Sequence, residues 1–571
     1  MQYKLIGDNN IKKPLETVLS NRGVKNLEGL IDANENNEHH YSKLKNMSRA
    51  VALLLKHAKE KNKIFIQADS DADGLTSTAI LLNYLKRAFP KLEIQYRLQD
   101  GKEHGVLVET IPEDVKLVII PDAGSSQYEE HKQLYDKGID VLVLDHHETE
   151  KESQHAVVVN NQLSPNYPNK ALTGAGIVYK FTQALDAELG KNHAERYLDL
   201  VAIGNIADMA DSRDLETRFY MKKGLSKIRN PLVKVLFKKV EFSTGGEKTI
   251  TNVQFYVNPL INGAIRIGTM EEKDQLMRAL LESKETVPYK KRGSNVEEMV
   301  PITQNTARLL TNLKAKQKRI VDKATNEIQE RIIEKGLLNN KILIIYINDI
   351  LDKKLTGLVA NRLVKLHKRP VLLARLMDND TLGGSVRGYE KGYIKDIKKF
   401  LTDTGLFNYC EGHANAHGFS IEIDNLVKVN EIANELLKDV EIDSGEIEVD
   451  FEIPADKIKP LFIKDLHSYR EHWGQNVEAP LLAVTDLEVN KDEIYLNGKQ
   501  KNVIKFTVND VSYVKFFSNE EEYEELVSHG DHLILTIIGK PDVNEYNGVK
   551  TAQVLIEDFE VKAAKKKRYI F

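Results

Sequence analysis

From Lys63 the chain alternates short apolar runs with longer stretches in which apolar positions recur at helical spacing. KIFIQAD, KLVIIPDAG and DVLVLDHHE each read as a buried strand whose end delivers polar residues. GLTSTAILLNYLKRAF and YLDLVAIGNIADM read as helices, the second ending in an aspartate. Strand and helix in alternation predict a parallel α/β sheet with a site along its strand ends. The first fifty residues, with NRGV as a turn signal, read as a helical lead-in. Between Gln304 and Gly336, Leu310, Leu313, Ile320, Ala324, Ile328 and Ile332 mark one face of a long polar helix that would connect two lobes. KILIIYIND, LVANRLVKLH and RPVLLARL then alternate strand, helix and strand, a second α/β domain. Beyond Pro480, short alternating strands from LLAVTDLEV to TAQVLIEDFEV fit a small barrel of the OB type. The expected division is 1–50 lead-in, 51–300 first α/β domain, 301–336 connecting helix, 337–440 second domain, 441–561 linker and barrel, and 562–571 a basic tail. No internal repeat is present.

Composition narrows the class. At 571 residues with 41% hydrophobic and 29% charged positions the chain has ample core for several domains. No apolar run approaches the roughly 20 residues that cross a bilayer, so no membrane association is expected. The N-terminal MQYKLIGDNN has no export pattern, and a single cysteine, Cys410, suits a reducing cytoplasm. A formal charge of −4 argues against a basic coat over the whole surface, so a nucleic-acid track would have to be local.

The candidate chemistry lies at the predicted strand ends. In QADSDADG, Asp69, Asp71 and Asp73 alternate, and residues two apart in an extended chain face one side. Crowded carboxylates repel, and a divalent cation is the natural compensation. An acidic surface loop or a calcium loop would give the same letters, but an EF-hand needs a helix before the loop and an acid at its twelfth position, and a strand precedes this one. Thr76 and Ser77 open the following helix. Asp122 ends the second strand, Asp145, His146 and His147 end the third, and Asp208 follows AIGNIA. Such a set matches what two divalent ions about 3.5–4 Å apart require. Oxygen-rich ligands with little imidazole favour Mn²⁺ or Mg²⁺ over zinc.

DADG, the DHH triplet and LVAIGNIAD, in that order, resemble the signature of the DHH phosphoesterases, and nearly the whole chain resembles the RecJ exonucleases among them. The resemblance implies that Asp71 and Asp73 bind opposite metals, Asp122 bridges them, His146 and Asp208 complete the second site, and His147 contacts the scissile phosphate. Asp69 and Asp145 would be support. Gln67 departs from the family, standing where some relatives place a metal-binding histidine. NPLINGAIRIG resembles a segment whose arginine, here Arg266, holds a terminal 5′-phosphate; an ion-paired arginine is the plainer alternative. GGSVRGY and EGHANAHGF resemble the motifs of the DHH-associated domain, implying that Ser385 and Arg387 grip phosphate and that His413 lies near the metal cleft. Glu411 replaces the first glycine of that motif, and His472 and Trp473 replace a proline and phenylalanine before the OB-fold. Phe506, Tyr513, Phe516 and Phe517 are candidates for base stacking, about half of them expected in the core by strand alternation. The basic Lys565 to Arg568 reads as a solvated end.

The function implied is hydrolysis of single-stranded DNA from an end, 5′ to 3′, releasing mononucleotides in repair, recombination or replication. A single-stranded-DNA-binding protein or a helicase would be candidate partners. Two other classes remain open: a DNA-binding replication scaffold without catalysis, and a phosphodiesterase of short or cyclic nucleotides.

Overall fold

The computed structural model describes all residues except 101–103, 292, 294, 349, 378, 379, 391, 441–445, 499, 500 and 563–571. The basic tail therefore lies outside the described residues. The chain opens with β1 (Tyr3–Leu5), α1 (Pro14–Asn21), α2 (Leu27–Ile31) and α3 (Met47–Glu60). The first α/β unit follows: β2 (Lys63–Ala68), α4 (Ala72–Ala88), β3 (Ile94–Leu98), β4 (Val115–Pro121), α5 (Tyr128–Asp136), β5 (Asp140–Asp145), β6 (Val157–Asn160), α6 (Gly174–Leu189) and α7 (Leu198–Ala207). Its five strands are all parallel, in the order β3-β2-β4-β5-β6. Ile64, Ile66, Leu117, Ile119, Leu142 and Leu144 face α3, α4, α6 and α7, while Phe65, Val118, Ile120, Val141 and Val143 face the α5 side. Burial on both faces explains why these strands read as continuous apolar runs. Chain order reverses between β2 and β4, so the ends of these two strands border a crevice.

Four helices, α8 (Leu215–Ser226), α9 (Pro231–Thr244), the short α10 (Ile250–Asn252) and α11 (Asn258–Ile267), with α12 (Met270–Leu280), complete the first lobe. A two-stranded ribbon, β7 (Thr286–Lys290) and β8 (Glu297–Pro301), leads into α13 (Ile302–Glu334), the expected long helix. It buries Leu310 and Leu313 in the first lobe and Ala324, Ile328 and Ile332 in the second, so one amphipathic stripe serves two cores.

The second lobe contains β9 (Leu343–Tyr346), α14 (Thr356–His367), β10 (Val371–Leu376), β11 (Thr381–Arg387), α15 (Ile397–Asp403), β12 (Phe407–His413), β13 (Ala416–Glu422) and α16 (Ile423–Leu436). Its sheet, β12-β13-β11-β10-β9, is antiparallel except for the β9–β10 pair.

The C-terminal region corrects one expectation. Here β14 (Ile447–Val449), β15 (Phe451–Pro454), α17 (Pro460–Ser468), β16 (Leu482–Asn490), β17 (Tyr495–Asn497), β18 (Val503–Val508), β19 (Val511–Phe516), α18 (Glu520–Val527), β20 (His532–Tyr546) and β21 (Val549–Lys562) build one mixed sheet, β15-β16-β20-β21-β19-β18-β17, and the separate strand β14. It is not a closed barrel: β15 joins in parallel at one edge, three-residue β17 ends the other, and no pairing connects them among the described residues. Closure needs hydrogen bonding between the first and last strands, and a three-residue edge supplies little of it.

The first fifty residues carry more than the expected helices. β1 pairs in parallel with β14, and Val18, Leu19 and Leu30 share a core with Phe451, Trp473 and Val484. Arg22 grips wholly buried Asp450 with two bonds, Nη1–Oδ1 2.8 Å and Nη2–Oδ2 2.9 Å. The departures at His472 and Trp473 find a structural role: both are buried, and fully enclosed Arg218 of α8 donates to the His472 carbonyl and meets its Nδ1, each at 3.1 Å, and donates to the Leu30 carbonyl at 2.9 Å. Phe506 and Tyr513 stack in the core at 5.3 Å, whereas Phe516 and Phe517 are exposed.

Candidate metal centre

The crevice at the β2 and β4 ends gathers the aspartates. Asp71 caps α4, its Oδ1 accepting the Gly74 amide at 2.8 Å. Asp73, two residues on in the first turn of α4, is nearly inaccessible; its Oδ1 accepts the Thr173 hydroxyl at 3.1 Å and the Ala175 amide, at the N-terminus of α6, at 3.2 Å. Asp122 sits just past β4 in the left-handed region, φ 64°, an uncommon conformation that aspartate tolerates better than most residues. Its amide donates to the Leu144 carbonyl at 2.8 Å, which fixes it beside the β5 end. Asp208 follows the last turn of α7.

Three groups of candidate donors have ligand atoms within 4.8 Å of one another: Asp69 with Asp71 and Asp122; Asp73 with His146 and Asp208; and Asp122 with Asp145, His146 and His147. His146 Nε2 is 3.2 Å from Asp122 Oδ1 and 3.6 Å from Asp208 Oδ2. Buried Asp73 Oδ2, Asp122 Oδ1 and His146 Nε2 have no hydrogen-bond partner. Unpaired polar atoms are costly to bury, and three that converge on one volume fit a set of ligand atoms for cations. The oxygen-rich donor set matches the hard divalent ions expected from the sequence.

Electrostatics agree with that fit. Burial, then repulsion from Asp69 and Asp73, pushes Asp71 up to about 6, even though its surface opens to the cleft, because protein surrounds it on its other sides. Burial, then Asp73 and Asp71, pushes Asp208 up to about 8 and Asp122 well above the carboxylate range. Burial lowers His146, keeping its imidazole neutral as a ligand must be. Asp145 is different. Burial opposes its charge, but the His147 ring outweighs it, and Asp145 also accepts the amides of Ser125 (3.0 Å), His146 (2.7 Å) and His147 (3.2 Å), so it ionises below the usual range. Its oxygens are committed to shaping the loop and holding His147 Nδ1 at 2.8 Å. Burial disfavours the His147 cation, yet Asp145 prevails and carries it up to about 9.

Sequence reasoning missed two kinds of residue. Gly174 and Gly204 are cradles: a Cβ on Gly174 would lie 2.2 Å from Asp122 Oδ1, and one on Gly204 2.3 Å from Asp73 Oδ1. The other is His104, whose Nδ1 lies 3.0 Å from Asp69 Oδ1. Glycine in TGAG and in AIGN, each opening or lining a helix, was the only legible signal. Gln67 is wholly buried and occupied, donating to the carbonyls of Arg97 (3.2 Å) and Ala68 (3.3 Å), so it joins no donor group.

The phosphate-binding candidates divide. Arg266, in the last turn of α11, is half-buried and close enough to Asp71 to feel its charge, and no carboxylate forms an ion pair with it among the described residues. Arg387 of β11 feels Arg266 in turn, and its guanidinium lies where a side chain on Gly357 would go, 2.5 Å from Nη2. Ser385, two residues earlier on the same strand, shares its face. His413 is exposed at the end of β12 and joins none of the donor groups; the buried histidine of that hairpin is His417, with both ring nitrogens unpartnered. Glu411 is exposed.

Known proteins share both the sequence pattern and this architecture. Residues 63–205 match the model of the DHH family, N-terminal domain, and residues 449–558 that of the RecJ OB domain. The protein named "Putative SPbeta prophage-derived single-strand DNA-specific exonuclease YorK" of Bacillus subtilis (strain 168) is 55% identical over 576 residues, covering 100% of both chains. The single-stranded-DNA-specific exonuclease RecJ of the same organism is 25% identical over 540 residues, 91% of this chain and 64% of that one. RecJ from Thermus thermophilus, crystallised in complex with Mn²⁺, superposes with a TM-score of 0.72 at 21% identity over 99% of this chain and 79% of its own, which shows a shared fold. Identity above one half along both whole chains, with matching domains at both ends, makes this chain a member of the RecJ-like family of single-stranded-DNA-specific exonucleases in the DHH superfamily.

Proposed function

We propose that the protein is a two-metal exonuclease that hydrolyses single-stranded DNA, 5′ to 3′, releasing mononucleotides. The observation that carries this is the convergence of unpartnered Asp73 Oδ2, Asp122 Oδ1 and His146 Nε2 in one carboxylate-rich crevice. Asp71 and Asp73 would hold opposite cations, Asp122 would reach both, and His146 and Asp208 would complete the second site, with Asp69 beside the first. Two Mn²⁺ or Mg²⁺ ions bound there would supply Lewis acidity, polarising a water for attack and offsetting charge on the phosphate. The chain's own groups do the rest. Asp145 holds His147 by Nδ1 and leaves Nε2 free for the scissile phosphate. Arg266, Ser385 and Arg387 would bind the terminal phosphate, and the placement of Arg266 near Asp71 supports a short distance between strand end and cleaved bond. His413 would act only from the edge of the cleft, on the strand rather than on the cations.

The helices of the described residues include none long and apolar enough to cross a membrane. The cytoplasm is the proposed location, since one cysteine suits a reducing compartment and the substrate is DNA. A nuclease confined to single strands works where duplex has been opened, so a helicase or a single-stranded-DNA-binding protein is the proposed partner class.

Single strands labelled at the 5′ end, incubated with Mn²⁺, should release labelled mononucleotides, and duplex should survive. Binding without release would favour a scaffold. Cleavage of dinucleotides with long strands untouched would favour a small-substrate phosphodiesterase.

A further inference from the structure

His104 follows β3, the edge strand that pairs with β2, and this neighbourhood suspends it over Asp69. Its Nδ1 lies 3.0 Å from Asp69 Oδ1, so Nδ1–H donates to that carboxylate, and in the imidazolium form Nε2–H is a second donor on the other side of the ring. His147 repeats the arrangement, with Nδ1 2.8 Å from Asp145 Oδ1. In both pairs the carboxylate is enclosed, 7% and 1% exposed, while the imidazole stands in the cleft at 55% and 47%. The two rings meet edge to face, 5.5 Å between centroids and 80° between planes. A histidine paired by chance with a surface acid would not have its tether inside the wall of the metal crevice, nor a twin across from it.

The Nε2 donor of His104 needs a partner of its own. His104 belongs to none of the three donor groups among the described residues, whereas His146 and His147 do. It therefore flanks the cation positions rather than occupying one, and addresses what binds above them. A phosphodiester is the group that two tethered imidazoles at such a cleft fit, because its non-bridging oxygens accept hydrogen bonds from both sides.

We infer that His104 is a substrate-contacting residue, whose Nε2 holds a non-bridging oxygen of the bound strand next to the oxygen held by His147. The inference rests on the nuclease reading and adds a residue to its substrate site.

The test uses the full-length protein and the variants His104→Ala and His104→Gln, the second keeping a hydrogen-bond donor. Turnover of single strands and binding of Mn²⁺ alone, followed by electron paramagnetic resonance, are measured in parallel, with strands carrying Rp or Sp phosphorothioate at the scissile linkage. His104→Ala should lower kcat/KM by about 10- to 100-fold, the span of one lost hydrogen bond to a charged group. It should leave Mn²⁺ binding unchanged and alter the Rp-to-Sp preference; His104→Gln should recover part of the rate. An unchanged rate and preference would make His104 a surface residue, and lost Mn²⁺ binding would make it a cation ligand; either overturns the assignment. If the wild type itself releases no nucleotide, the nuclease reading has failed, an outcome distinct from an active wild type with an indifferent His104 variant.

Discussion

The crevice at the β2 and β4 ends and the surface formed by α11, α13 and β11 are charged in opposite senses, and the histidines His104 and His147 pair only with Asp69 and Asp145 of the crevice. In the crevice, burial and mutual repulsion raise Asp71, Asp122 and Asp208. On the other surface, burial lowers Arg266, Arg387 and Lys314, and cation neighbours add to the effect at Arg387, from Arg266, and at Lys314, from Arg266 and Lys318. A fold selected for stability alone would let the two sets neutralise each other. Instead Arg266 feels the charge of Asp71 without pairing to it, and no ion pair links the two sets among the described residues. The difference teaches that each side is complementary to something outside the chain, cations for one and phosphate for the other.

The sharpest way to break this contrast is on the acidic side. Asp122→Ala should cut turnover by roughly 10³-fold or more while leaving strand binding intact in a gel-shift assay, because the strand is held by the opposite surface. Normal cleavage by that variant would end the assignment of Asp122 to both cations. Gly174→Ala keeps every candidate ligand but places a methyl group 2.2 Å from Asp122 Oδ1. Displacing that carboxylate should weaken Mn²⁺ binding by about 10- to 100-fold, measured by calorimetry; unchanged affinity would show that the cradle is dispensable.

On the basic side, Arg266→Ala should leave Mn²⁺ binding alone and raise KM for 5′-phosphorylated strands by about 10-fold or more, erasing their advantage over 5′-hydroxyl strands. A preserved preference would remove Arg266 from the end-binding pocket. The smallest effect concerns the metal-free protein. Asp71 and Asp208 ionise at about 6 and about 8 in the folded state, above the 3.8 ordinary for an aspartate in the unfolded chain. The folded state therefore binds more protons, and the contribution of these groups is fully present below about pH 4 and lost as pH rises to about 8. The melting temperature with chelator should reflect this loss as pH rises from about 4 to about 8, and Mn²⁺ should reverse it most strongly at the upper end. A metal-free protein in which Mn²⁺ shifts the melting point equally at all pH values would contradict the crowding of carboxylates.

Much of this site could be read from the chain because its carboxylates sit at or beside the ends of regular elements. Strand alternation did not place Asp69, Asp71 and Asp73, because β2 stops at Ala68, Asp71 caps α4 and Asp73 lies in its first turn, so the strand-to-helix turn gathers them; apolar runs ending in Asp122 and in Asp145-His146-His147 do announce neighbouring strand ends. The long helix α13 was equally legible, since its apolar stripe persists through both lobes. Local periodicity could not report what depends on distant approach. His104 lies in a polar segment without periodicity, and its approach to Asp69 depends on segments far apart in the chain, such as Gln127, whose Oε1 accepts the Val106 amide at 2.6 Å. His413 and His417 differ by four residues in one hairpin, and register alone decides which is buried. The open edges of the C-terminal sheet and the pairing of β1 with β14 likewise depend on strands far apart in the chain. The sequence by itself determined the donors, the elements that carry them and the kind of ion they suit, because those follow from side-chain chemistry and from strand and helix spacings of about two and about 3.6 residues. Only the tertiary structure decided which buried atoms are left without a partner and which histidine stands beside them, because those are properties of packing among segments that meet only after folding.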